Sequence, residues 1–238
     1  MCNLYQMVPK EDIERHFRAL VGDGYRAGVV GPYGTGAFLT VREGSLALQP
    51  AQWGLIAPKA TSRRPASRAV LTNNARAESV AERWTYREAW RRGQRCLIPA
   101  SWYQEPNWET GRNIWWQLRR ADGAPWALAG LWSEWTDPAS GEIVASCTML
   151  TCNCDGHPLL GRLHKPDPAL PPDAQDKRAV VSLEPQEWDA WLHGDEASAR
   201  ALIRPAPVEA FDASVSLATD AALAAAVRKG PDAQGSLL

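Results

Sequence analysis

Ile13, Phe17 and Leu20 recur at the four- and three-residue intervals of one helix face. Pro9 stands where a first helical turn tolerates it, so VPKEDIERHFRAL predicts an amphipathic helix. The pattern then changes period. AFLTVREGSLALQPAQWGLIAP reads as two strands about a turn at Glu43-Gly44, and short apolar runs recur in RCLIPA, IVASCTMLTC and RAVVSL. NIWWQLRRADGAPWALAGLW predicts a hairpin turning at Asp122-Gly123. ESVAERWTYREAWRRGQ has helical character, and EPQEWDAWLHG predicts a helix with Trp188, Trp191 and Leu192 inward and Gly194 closing it. HKPDPALPPDAQDKR, with Pro166, Pro168, Pro171 and Pro172, must be a loop, because proline fixes φ and donates no hydrogen bond. The sum is one α+β domain over residues 1–204, built on an antiparallel, barrel-like β-sheet with peripheral helices. An Ala-rich extension over 205–238 is weakly patterned and expected to fray.

Composition narrows the function classes. With 45% hydrophobic and 22% charged residues the chain is ordinary globular material. No apolar run approaches the ~20 residues of a membrane span, and the first twenty residues carry Lys10, Glu11, Asp12, Glu14 and Arg15, so a cytoplasmic protein is expected. Five cysteines, Cys2, Cys96, Cys147, Cys152 and Cys154, argue for reduced thiols rather than a disulfide framework. The net charge of −1 gives no reason to expect nucleic acid, but its distribution does. Between Thr61 and Arg95 nine arginines, among them Arg63, Arg64, Arg68 and Arg76, face three glutamates. Trp53, Trp84, Tyr86, Trp90 and Trp102 lie in or beside this basic stretch. Cations that follow a backbone and rings that stack on bases are what single-strand binding requires; a solvated helix face with tryptophans in the core is the plainer reading.

The candidate chemistry starts at Cys2. Methionine ahead of a small residue is readily removed, and a chain beginning at Cys2 presents a thiol of pKa about 8.5 beside an α-amine of about 7.7 to 8.0. Such an aminothiol condenses with an aldehyde and closes to a thiazolidine ring. The other groups with catalytic potential are Asn73 and Asn74 in NNARAES, Glu105 in RCLIPASWYQEP and His164 in HPLLGRLHKP, while His157 before Pro158 reads as structural.

A start at Cys2, then QWGLIAP, NNARAES, RCLIPASWYQE and LTCNCDGHPLLGRLHKP in this order resembles the SOS-response-associated peptidase (SRAP) family over residues 2 to about 192. The resemblance implies a protein that looks after abasic sites in single-stranded DNA. It makes Cys2 the nucleophile after loss of Met1, Asn74 the holder of the reacting sugar, Arg76 a phosphate contact, Glu105 the acid/base carboxyl and His164 the active-site histidine. It implies abasic single-stranded DNA as the partner, and the basic stretch would set Trp53, Arg63, Arg64 and Arg68 along the strand; no cofactor, no metal and a monomer are expected. Three departures stand out: Asn3-Leu4 where the family commonly has Gly-Arg, Glu105 set between Gln104 and Pro106, and a proline-rich insertion after His164. The phosphate contact expected just after the histidine then falls to Lys165 or Arg178.

Three other readings compete. Cys152 and Cys154 with His157 and His164 suggest zinc, but C-x-C lacks the C-x₂₋₄-C spacing and matching second pair of zinc frameworks. A thiol peptidase acting on proteins through Cys2 and His164 leaves the arginine patch unexplained. The third is a noncatalytic single-strand-binding module with Cys2 inert.

Overall fold

The computed structural model describes residues 2–67 and 70–212. In chain order these form β1 (Tyr5–Met7), α1 (Lys10–Phe17), β2 (Val29–Val30), β3 (Thr35–Arg42), β4 (Ser45–Trp53), β5 (Asn74–Arg76), α2 (Arg87–Arg91), β6 (Arg95–Asn107), β7 (Ile114–Leu118), β8 (Trp126–Thr136), β9 (Ile143–Asn153), β10 (Arg178–Val180), α3 (Trp188–His193) and α4 (Glu196–Ala201). The turn between β3 and β4 falls on Glu43 and Gly44, both with positive φ, which is why a glycine stands there. Strands β9, β4, β3, β6 and β8 pair in succession and β8 returns to β9, closing a five-stranded barrel. Leu39, Leu97, Ile98, Leu128, Leu131 and Met149, which face both sides of this sheet, are fully buried in the hydrophobic core. Closure uses one parallel pairing, β4 on β9, and β5 joins β9 in parallel outside the barrel, so the sheet is not antiparallel throughout.

The thirteen-residue β6 organises the rest. The segment expected to fold as a hairpin instead lies end to end along one edge of β6, with β8 against Arg95–Ala100 and β7 against Tyr103–Asn107. On the opposite edge β3 meets Leu97 and β1 meets Ala100, Trp102 and Tyr103. The far end of β6 therefore runs out of the barrel between β1 and β7. That end carries Glu105.

Other elements depart from the sequence pattern for local reasons. Helix α1 stops at Arg18, which turns left-handed at φ 50°, so Leu20 falls outside the helix and is 67% exposed. The helix expected over ESVAERWTYREAWRRGQ contracts to α2, preceded by turns closed on the Arg76 and Ser79 carbonyls. In α3, Trp191 is buried and Trp188 stacks on Phe17 with ring centroids 5.0 Å apart. Gly194 ends α3 without a left-handed turn; a Cβ there would stand 2.3 Å from the Ala190 oxygen, so close approach is what requires the glycine.

The packed chain runs past the boundary expected at residue 204. Ala206 and Phe211 are buried, and the Asp212 amide donates to the Arg119 carbonyl at 2.9 Å. His157 fastens this segment: Nε2 is 2.9 Å from the Ala206 carbonyl, and Nδ1 accepts from the Leu160 amide at 2.9 Å. Residues 213–238 lie outside the described residues.

Candidate active site

Strand β1 delivers the start of the chain to the protruding end of β6. Gln104 donates its amide to the Leu4 carbonyl at 2.9 Å, and Tyr5 pairs with Tyr103. Cys2 is fully buried there. Its carbonyl accepts two side-chain amides, from Asn74 Nδ2 at 2.6 Å and Asn73 Nδ2 at 3.0 Å. Both asparagines are presented by the register of β5 on β9, where Asn74 pairs with Met149 and the Met149 amide donates to the Asn73 carbonyl. Asn73, which the sequence motif left as the lesser choice, thus belongs to the site. The resemblance assigned Asn74 to the sugar, whereas its nitrogen here donates to the Cys2 carbonyl. Its Oδ1 is buried without a hydrogen-bond partner among the described residues, which leaves an acceptor for an incoming hydroxyl. Burial, then the Glu105 charge, raise the Cys2 pKa far above the ordinary thiol value, so the sulfur is protonated until a base takes its proton.

Glu105 is 1% exposed, and burial pushes its carboxyl from 4.5 up to about 7. His164 Nε2 lies 3.7 Å from Glu105 Oε2 and 2.8 Å from the Arg178 carbonyl. A carbonyl can only accept, so Nε2 carries the proton and Nδ1 the lone pair. Burial pushes His164 down to about 4, so at neutral pH the imidazole is uncharged beside a carboxyl near half-protonation. His164 is left-handed at φ 65°, a conformation that costs a non-glycine residue about 1–3 kcal/mol. Its amide donates to the Pro106 carbonyl at 2.6 Å and its own carbonyl accepts from Lys177 Nζ at 2.7 Å, which hold it there. The structure thus brings Cys2, Asn74, Glu105 and His164 to one end of the barrel.

The expected strand-binding residues separate. Arg76 is half-exposed at the rim and pairs with Asp176. Arg178 is buried, with its guanidinium bonded bidentately to Glu78 at 2.7 and 3.0 Å and to the Thr151 carbonyl at 2.9 Å, so its charge is committed inside the protein. Lys165 lies over the Trp108 ring at 5.2 Å. Arg63 pairs with Glu142 at 2.5 Å, and Arg64 lies over Tyr33 at 5.4 Å. Arg68 lies outside the described residues. Trp53 does not serve as a stacking platform: it is fully buried, edge-on to Tyr5 with centroids 4.9 Å apart. Of the five aromatic residues in and around the basic stretch, Trp84 is the exposed one, at 50%. With Arg63 and Arg64 it lines a cavity of about 390 Å³. Arg95 is withdrawn from the patch, capping α3 through the Trp191 and Gly194 carbonyls.

Cys152 and Cys154 are buried free thiols. Among the described residues no group of three or more His, Cys, Asp and Glu side chains is arranged to hold a metal ion. Elemental analysis of protein purified without chelator is expected to find well under one zinc per chain; a full equivalent, lost on Cys152→Ser, would reverse that expectation. Among the described residues no helix is long and apolar enough to cross a membrane.

The family model for the SOS response associated peptidase (SRAP) matches residues 1–218. No curated protein matches the sequence. Among solved structures, a Bordetella bronchiseptica protein is 33% identical, with a TM-score of 0.76 over 88% of this chain and 97% of its own. A Bacteroides thetaiotaomicron protein has a TM-score of 0.69 at 20% identity, covering 89% and 90%. A phage-related protein of Bordetella bronchiseptica has a TM-score of 0.59 at 19% identity, covering 89% and 92%. At these identities the last two speak for the fold alone.

Proposed function

Because the chain belongs to the SOS response associated peptidase (SRAP) family, we propose that it caps abasic sites in single-stranded DNA by forming a thiazolidine between Cys2 and the open-ring sugar aldehyde once Met1 is removed. The observation that carries this reading is the double amide grip on the Cys2 carbonyl beside a carboxyl poised near neutrality. Holding the carbonyl fixes the residue's orientation while leaving its nitrogen and sulfur for chemistry.

The steps balance as one amine, one aldehyde and one thiol giving one thiazolidine and one water. His164, through its unprotonated Nδ1, takes the C1 hydroxyl proton as the bond from C1 to the ring oxygen breaks, and returns that proton to the departing ring oxygen. The Cys2 amine adds to the aldehyde carbon, and the resulting carbinolamine loses its hydroxyl as water on receiving a proton from Glu105. The Cys2 sulfur then adds to the iminium carbon as its proton passes to the Glu105 carboxylate, which restores the acid and leaves a neutral ring nitrogen. A buried acid with a pKa of about 7 serves both directions at neutral pH.

Intact mass is the direct test. Mature protein should lack Met1, and mixing it with an oligonucleotide bearing one abasic site should add the mass of that strand less one water. Unchanged protein mass after mixing would remove the covalent reading and leave a binding module.

Single-strand affinity should also depend on salt. With about three phosphates neutralised, log K falls with log salt at a slope of about −2, taking ~0.7 per contact for single strands. Arg76→Ala should weaken binding and flatten the slope by ~0.7. A salt-independent affinity would be incompatible with this expectation.

A further inference from the structure

The half-exposed guanidinium that this function gives to phosphate is already occupied by a carboxylate of the same chain. We propose that Asp176 is an internal stand-in for a strand phosphodiester, an acidic clasp on Arg76 that lowers single-strand affinity until a strand displaces it. The inference rests on the single-strand-binding reading above.

Asp176 bridges two arginines, with Oδ2 on Arg76 Nη1 and Oδ1 at 3.0 Å from Arg178 Nη1. The two differ in what else they hold. Arg178 keeps its bidentate bond to Glu78 whether or not Asp176 is present, whereas Asp176 is the carboxylate paired with Arg76 among the described residues. A carboxylate and a phosphodiester offer a guanidinium the same pair of acceptor oxygens, so they compete for one fork. With Glu78 and Asp176 opposite Arg76 and Arg178, the quartet carries no net charge, and an arriving phosphate meets no uncompensated cation there.

The clasp is held in place by backbone. Asp176 is left-handed at φ 54°, and the Asp155 carboxylate accepts the amides of Asp176 at 3.1 Å and Lys177 at 2.7 Å. The proline-rich insertion before it is stapled by Gln175, whose Nε2 donates to the Leu170 and Pro171 carbonyls at 3.0 and 2.9 Å and whose Oε1 accepts the Asp167 amide at 2.7 Å. The carboxylate is thus positioned without further ordering, and removing its charge frees Arg76 outright. The insertion that interrupts the family motif after His164 supplies this competing anion at its exit.

The test compares wild type, Asp176→Asn, Arg76→Ala and the double variant for binding of an unmodified single-stranded oligonucleotide across a salt series. Asparagine tolerates left-handed backbone well, so Asp176→Asn removes the charge and little else. At low salt it should bind about two- to fivefold more tightly, the scale of one exposed ion pair, with a salt slope close to that of wild type, because Arg76 meets the same phosphate in both complexes once the clasp has given way. The double variant should show no gain over Arg76→Ala. In adduct formation the gain should appear as a lower half-saturating strand concentration. Asp176→Ser, which removes the carboxylate with a smaller side chain, must give the same result. Unchanged or weaker binding by both Asp176 variants, or a gain that persists in the Arg76→Ala background, overturns the clasp while leaving the strand-binding reading intact. Failure of wild type to bind the strand at all overturns both.

Discussion

A Cys2→Ala protein mixed with an abasic oligonucleotide is expected to give no adduct that survives a denaturing gel without reduction, where wild type gives a stable one. Alanine keeps a terminal amine in the same place, and its carbonyl can still accept from Asn73 and Asn74. That amine can form only an imine, which hydrolyses on denaturation and is captured by borohydride. The difference between reduced and unreduced samples therefore isolates the sulfur. A Cys2→Ala adduct equal to wild type without borohydride would show that the ring is not the product.

Glu105→Gln should slow adduct formation by roughly 10²–10⁴-fold, the usual range for loss of a general acid or base. Glutamine keeps the shape but cannot supply the proton that expels water. Because the acid form of Glu105 does this work, the rate of the dehydration step should fall as pH rises through about 7. The same shift separates activity from folding. A buried carboxyl whose folded pKa lies above its unfolded value binds more protons when folded. Its contribution is complete below about pH 4.3 and is lost as pH rises to about 7. Glu105→Gln removes that penalty and should melt no lower than wild type at pH 8. A lower melting temperature for the variant at that pH, or a rate within a few-fold of wild type, would count against the assigned role.

The residues of the candidate site are easier to pick out in the sequence than the sheet that gathers them. Cys2, Asn74, Glu105 and His164 stand in short motifs, and long-range pairing brings them together: β1 on β6, β5 on β9, and the Leu163 bridge to Asn107. Local pattern cannot show such pairing, which is why β7 and β8 read as a hairpin although each pairs with β6. Residue type alone also misled where burial decided. Trp53 and Trp84 are alike in sequence, but one fills the core and the other lies half in solvent. Arg95 and Arg178 count as basic in composition, but both are buried with their donors spent on internal carbonyls or carboxylates. Asn73 was visible as one of a pair, but only geometry could show that both amides reach the same oxygen.

The dependence of Cys2 on β6, and of His164 on the Arg178 carbonyl, also sets an order of events during synthesis. No length of nascent chain short of Arg178 contains the whole site. At ~5–20 residues per second, its completion follows translation of the first strand by on the order of ten seconds or more. Glu105 comes within reach of the chain's first residues once β6 is made, whereas His164 lacks the Arg178 carbonyl until residue 178 is made. Under the proposed function, the carboxyl is in reach of Cys2 before the histidine that the Arg178 carbonyl orients, and the site is complete only when β10 pairs with β9.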